Sequence, residues 1–401
     1  MRKAIQFLIL TFLTSVSAST VTTNADPDAK AAADLAKFVI RSTTRVMNSQ
    51  KFECYACRTD AGKPTVPPAC FDAWSDLYSK PELNFNVALG YSEGPLGAND
   101  GTRRAVWSEK LTRPCQENAD AGTCGFRRAD DTMDLYTKSV IGPDRKPHLV
   151  KLHLVSSAAS RDDKANRTTR RAEQTLKTKK AEDTFFGGLE NADVVIYAGH
   201  ARKGAGPSFG PPPGSDLHVN YSALKGNVNE ARMLTALKRN PKPPKLVGIF
   251  ACDADKWFSD QVRAATIDRR GRNLTGVATS DGLTDAEVVF AQAYAMLDSI
   301  LAMRCEDEFQ ASLGAIREFG DADVGIRHPK PAHIDGFYSD FHPEMWDLAA
   351  NIDAQAEVPN PQTVRSETPL SPDAQAITPS STSLSPVPAP SRRAQDSNST
   401  R

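Results

Sequence analysis

The chain has 401 residues, with 49 Lys and Arg against 49 Asp and Glu, and is 40% hydrophobic and 24% charged. Balanced charge leaves no excess to grip the phosphates of nucleic acid or an anionic membrane, so neither is an expected partner. The apolar fraction is that of a globular protein, and the length suits one large domain with extras, or two domains.

The chain opens with Arg2 and Lys3, runs through an apolar stretch from Ala4 to Leu13 broken by Gln6 and Thr11, and reaches Val16-Ser17-Ala18. That order predicts a secretory signal peptide over residues 1–18, with cleavage after Ala18. Its apolar region is shorter than the roughly 20 residues a bilayer requires, and no later segment is long and apolar enough. The mature protein is therefore expected to be exported, to a periplasm or the exterior, without membrane insertion.

Residues 19–146 read as a cysteine-containing region. Asn24 to Val46 is Ala-rich and helical in pattern, and beyond it the GPLGANDG stretch and scattered Pro and Gly predict loops rather than long regular elements. Five of the seven cysteines lie here: Cys54, Cys57, Cys70, Cys115 and Cys124. An oxidising compartment pairs thiols where geometry allows, so disulfides are favoured over a zinc or redox role for the Cys54-x-x-Cys57 motif. Cys115 and Cys124 flank a polar segment that reads as a disulfide-closed loop. If six cysteines pair, Cys252 is the natural odd one.

Residues 147–350 change pattern. Apolar runs at His148 (HLVKLHLVSS), Ala192 (ADVVIYAG), Lys245 (KLVGIFA) and Leu274 (LTGVATS) predict four strands. Three are near-continuous apolar runs, as expected where helices cover both faces of a parallel sheet. Between them lie helical patterns at 168–190, at VNEARMLTALKRN before Pro241 and Pro243, and at 285–304. FYSDFHPEMWDL, from Phe337, supplies aromatics for a closing element. From about 351 to 401 the chain is rich in Pro, Ser and Thr and predicts a disordered tail.

Strands joined by such crossovers lie parallel, and open α/β sheets bind ligands at the carboxyl ends of their strands. The second predicted strand ends in Gly199-His200 and the third in Ala251-Cys252, 52 residues apart. Neighbouring strands would carry an imidazole and a thiol to one edge. A cysteine nucleophile needs a base or an imidazolium to supply thiolate near neutral pH, so the implied chemistry is acyl transfer. His200 would assist thiolate formation and protonate the leaving amine, and Cys252 would attack the carbonyl.

An apolar strand ending in Gly-His followed by another ending in Ala-Cys resembles the caspase-like cysteine peptidases, a superfamily that includes caspases, legumains, gingipains, clostripain and separases. The resemblance covers roughly residues 147–314. It implies a three-layer α/β/α sheet, a His200 and Cys252 dyad, backbone N–H groups of Ala201 and Cys252 at the oxyanion, a peptide or protein substrate and no cofactor or metal. Family members carry glycine after the histidine, where this chain has Ala201. Members that cut after basic residues can carry an acidic residue two before the cysteine, where this chain has Phe250. The loop KGAGPSFGPPPG and the segment from Thr279 to Gly282 would flank the cleft, with Ser280 and Asp281 as the expected substrate-binding residues.

Two other readings use the same residues. A catalytically inactive relative would bind peptides or build an envelope assembly. A magnesium-dependent phosphohydrolase would use Asp253 and Asp255 as its Asp-x-Asp pair, with LTGVATS and the run Gly320 to Asp323 as partial companions. Helix capping is the plainer role for those aspartates, given DKWFSDQVRAA beyond them. Sequons occur at Asn166, Asn220, Asn273 and Asn398. His148, His153, His328, His333 and His342 have no zinc-like spacing.

Overall fold

The computed structural model describes residues 59–60, 63–92, 99–115, 122–129, 134–212, 214–215, 218–219, 229–268, 271–282, 286–323 and 332–338. The predicted signal peptide, the helical stretch 24–46, Cys54, Cys57, Asn220, His328, His342, Asn398 and the tail from 351 lie outside the described residues. All described residues fall within one unit, Met1–Glu357.

In chain order a short hairpin, β1 (Thr59–Asp60) with β2 (Lys63–Pro64), precedes α1 (Pro68–Leu77), β3 (Glu82–Leu89) and α2 (Asp100–Thr112). Then come β4 (Arg127–Arg128), β5 (Leu135–Ile141), β6 (Pro147–Ser156), α3 (Asp163–Arg167), α4 (Arg171–Asn191) and β7 (Val194–Ala198). A second small hairpin, β8 (Gly214–Ser215) with β9 (His218–Val219), is followed by α5 (Asn229–Arg239) and β10 (Leu246–Phe250). A π-helical turn (Asp255–Ser259) runs into α6 (Asp260–Thr266), and β11 (Gly276–Ser280), α7 (Ala286–Leu301), α8 (Glu306–Asp323) and β12 (Ala332–Asp335) complete the order.

Eight strands form one mixed sheet in the order β12-β11-β10-β7-β3-β6-β5-β4. Its five central strands are parallel, while β12 at one margin and β5 and β4 at the other pair antiparallel. The connections leave β3 toward β6, cross back over β3 to β7, then continue outward through β10 and β11. Strand order therefore reverses between β3 and β7, and the carboxyl ends at such a switch point splay to leave a crevice.

Helices cover both faces. On one face Leu83, Phe85, Val87 and Leu89 of β3 meet residues from α1, α2, α7 and α8. On the other, Val195 and Tyr197 of β7 and Val247 and Ile249 of β10 meet α4, α5 and α6. With both faces covered, every residue of β7, β10 and β11 is buried, which is why β7 and β10 read as near-continuous apolar runs. On α5, Met233, Leu234, Ala236 and Leu237 form the buried stripe, and Pro241 and Pro243 follow its end as expected.

The four predicted strands are present as β6, β7, β10 and β11, and the three predicted helices as α4, α5 and α7. The α/β sheet nevertheless does not begin at Pro147. Residues before it supply β3, near the middle of the sheet, together with α1, α2 and β5, so the expectation of a loop-rich stretch there is corrected. β3 alternates Leu83, Phe85, Val87 and Leu89 with Asn84 and Asn86. Asparagine is rare in strands, but here Asn86 Nδ2 donates to the Thr184 carbonyl of α4 (2.8 Å), so its polarity is satisfied inside the layer.

Among the described residues two disulfides are present, Cys70–Cys305 and the expected Cys115–Cys124, and Cys252 lies outside both. Bridges of this kind belong to oxidising compartments. Among the described residues no helix is long and apolar enough to cross a membrane.

Candidate functional site

β7 and β10 pair in parallel with Val194 opposite Leu246 and Ala198 opposite Phe250. The ladder continues one step further, Gly199 N–H donating to the Phe250 carbonyl at 3.0 Å. His200 and Cys252 each stand two residues beyond these paired ends, in the turns that leave adjacent parallel strands. Neighbouring strands run about 4.8 Å apart. The sheet thus brings the predicted imidazole and thiol to one edge, beside the crevice where strand order reverses. Both residues are half-buried, and His200 Nε2 is shielded from solvent.

The backbone is unusual here. Five described non-glycine residues adopt positive φ, and three of them follow the dyad closely: Arg202 (48°), Lys203 (55°) and Asp253 (53°). Left-handed backbone at a non-glycine residue costs roughly 1–3 kcal/mol, and such strain persists where the surroundings over-determine it. Hydrogen bonds supply that constraint. Asp253 N–H donates to the Gly282 carbonyl beyond β11 at 2.7 Å, fixing the chain immediately after Cys252. The π-helical turn that follows is a rare element, frequent at functional sites.

Tyr197 organises the His200 side. Its hydroxyl accepts from Ser208 N–H (2.8 Å) and shares its one proton between the carbonyls of His200 and Ser208, each 3.0 Å away. Burial pushes its ionisation far above the usual phenol value, so the proton stays available. A Cβ at Gly90 would collide with this hydroxyl, so glycine there lets β3 end against the tyrosine. On the far side of the loop Gly204 (φ 82°) abuts Trp257 of the π-helical turn, where a Cβ would sit 2.6 Å from the indole ring. The turns after His200 and Cys252 are therefore packed against each other.

Ala201 has φ −80° and ψ −17°, ordinary right-handed backbone open to any residue. The absence of glycine after His200 therefore imposes no distortion; the left-handed residues fall one and two positions later. Phe250 is fully buried in the core cluster beneath α7, so its side chain takes no part in binding substrate.

The two expected substrate-binding residues differ. Ser280 is fully buried and its hydroxyl donates to Gln292 Oε1 of α7 at 2.7 Å, so it anchors β11 and does not face a ligand. Asp281, one residue further, is half-buried at the carboxyl end of β11. Asp255 does not cap a helix: its Oδ1 lies 3.0 Å from His333 Nε2 and accepts from Thr279 Oγ1 at 3.4 Å. Gly320 to Asp323 form the end of α8. Among the described residues no cluster of three or more His, Cys, Asp or Glu could hold a metal.

Asp100, not singled out from sequence, ties together the chain that leaves β3 and β6. Its buried carboxylate accepts from the N–H groups of Ser92 (3.3 Å), Ser157 (2.7 Å) and Ala158 (2.7 Å). Burial raises its pKa to about 6, against the opposing pull of those amides and Arg103. Asn166, a sequon residue, is 2% exposed and its Nδ2 donates to Tyr91 Oη and the Ser160 carbonyl, so the folded chain offers no glycan acceptor there. His148 is structural: its ring nitrogens meet the Lys80 carbonyl (2.6 Å) and Asp144 Oδ1 (2.9 Å).

Among the described residues, two cavities lie elsewhere. One, of about 580 Å³, sits between α4 and the sheet and is lined by Asn84, Asn86, His153, Lys179 and Asp183; the other, of about 420 Å³, lies by Asp76, Lys245 and Phe337. Neither is lined by His200 or Cys252. No family model, curated protein or solved structure matches this chain.

Proposed function

We propose that the chain is an exported, caspase-like cysteine peptidase using His200 and Cys252. The observation that supports this reading is the parallel β7–β10 register, whose paired ends Ala198 and Phe250 each stand two residues before His200 and Cys252. His200 accepts the Cys252 thiol proton, and the thiolate attacks the carbonyl carbon of a peptide bond. N–H groups of Ala201 and Cys252 receive the developing oxyanion. The C–N bond breaks as His200 returns the proton to the leaving amine, leaving a thioester. Water, deprotonated by His200, then releases the acyl product and restores the thiol.

Left-handed backbone beside both residues and the disulfides elsewhere in the chain support the reading and its exported setting. The phosphohydrolase reading gains nothing from Asp255, whose carboxylate is engaged by His333 and Thr279. The test is turnover of a peptide library by the full chain. Cys252→Ala is expected to lower it by about a thousandfold or more, with the fold intact by circular dichroism. Full turnover in Cys252→Ala overturns the proposal.

A further inference from the structure

Beyond Cys252 the chain is gripped by a strand that sequence analysis passed over. β12 is the antiparallel margin of the sheet, with His333 opposite Thr279 of β11. Its residues alternate: Ala332 and Ile334 are buried in the core cluster with α7 and α8, while His333 and Asp335 project to the other face. On that face the π-helical turn and α6 pack. His333 Nε2 lies 3.0 Å from Asp255 Oδ1, at the first residue of the turn and three positions after Cys252. Two residues along β12, Asp335 pairs with the buried Arg263 of α6.

Both ties reach the single run of chain that leaves Cys252. Asp255 Oδ1 is shared between His333 and Thr279, so side chains of two adjacent strands converge on one oxygen. Because a carboxylate only accepts, His333 must carry a proton on Nε2 to bond it. A second proton, on Nδ1, makes the ring cationic and turns the hydrogen bond into an ion pair, which is stronger. His333 meets Asp255 of the turn, while Arg263 of α6 pairs with Asp335 of β12 and lies 3.8 Å from Asp260 of its own helix. The His333–Asp255 clasp therefore holds the turn that follows Cys252.

We propose that His333 is a positioning residue for Cys252, acting through Asp255, so that its protonation tightens the turn after the thiol. The proposal rests on the acyl-transfer reading only for its biological use, because its readout is the thiol itself. The measurement is the rate of Cys252 alkylation by iodoacetamide in the full chain from pH 5 to 9. The wild-type profile is expected to show a step that depends on His333. His333→Ala should remove that step and change the rate in the acid arm by about fivefold. His333→Gln restores a donor that cannot titrate, so it should recover the rate without the step. Asp255→Asn should give the His333→Ala profile, and combining the two should add nothing further.

Asp335→Asn loosens the neighbouring tie and should lower stability while keeping the pH step, which separates positioning from support. Wild-type and His333→Ala profiles that superimpose overturn the proposal. If His200→Ala leaves alkylation unchanged while His333→Ala alters it, the acyl-transfer reading fails and the clasp stands.

Discussion

The turn between α7 and α8 and the carboxyl edge of the sheet are held by different means. At the turn, partners more than 200 residues apart converge: Cys70 is bonded to Cys305, Trp74 Nε1 donates to the Arg304 carbonyl (2.9 Å) and Tyr78 Oη to that of Ile300 (3.4 Å). Tyr338 Oη also donates to the Arg304 carbonyl (2.6 Å), and Trp74 meets the Phe337 ring edge-on at 4.8 Å. At the carboxyl edge the constraints are side chains bonded to backbone, with strained residues between them. The first region resists unfolding by limiting the unfolded chain and burying aromatic area. The second spends stability on the orientation of a few loops, as functional sites do.

The contrast can be broken at several points. Replacing Cys70 and Cys305 together by Ser opens a loop of 235 residues and is expected to cost about 4–5 kcal/mol, seen as a large fall in urea midpoint, with little change in the alkylation rate of Cys252 in the protein that remains folded. A comparable loss of thiol reactivity in that folded fraction would erase the distinction between the regions.

Asp100→Ala should cost about 3 kcal/mol, because three buried N–H groups lose their acceptor. The pH dependence is more telling. The folded-state pKa of about 6 lies above the usual 3.8, so between those values the folded protein holds a proton that the unfolded chain has released. This contribution to stability is fully present below pH 3.8 and is lost as pH rises toward 6. Asp100→Asn should remove that component from urea midpoints measured at pH 4, 5 and 7, and an unchanged slope would refute the assignment.

The smallest effect is expected at Tyr197. Tyr197→Phe removes the hydroxyl that binds the His200 and Ser208 carbonyls and leaves Ser208 N–H without its acceptor. It should cost about 1–2 kcal/mol while slowing Cys252 alkylation. A pure stability change, with the alkylation rate untouched, would make Tyr197 a core residue rather than a support of the site.

Much of this architecture was legible in the chain. Near-continuous apolar runs marked β7 and β10 because two-sided burial leaves no polar face, and the residues that follow them pointed to His200 and Cys252. β3 was missed because Asn84 and Asn86 interrupt its pattern, although Leu83, Phe85, Val87 and Leu89 keep period two. Ser280 was misjudged because its partner, Gln292, lies across a helix packing that no local pattern reveals. Tyr197 carried a readable signal: a lone hydroxyl in an aliphatic strand three residues before His200.

Local pattern determined which segments become strands and helices, since periodicity and apolar content act over a few neighbours. It also determined that a thiol and an imidazole each end a buried strand. Strand order, the register that aligns Ala198 with Phe250, the place of β3 between β6 and β7, and the convergence of His333 on Asp255 were decided only by the tertiary structure. Each depends on contacts between residues distant in the chain, and their free energies exist only once the sheet has assembled.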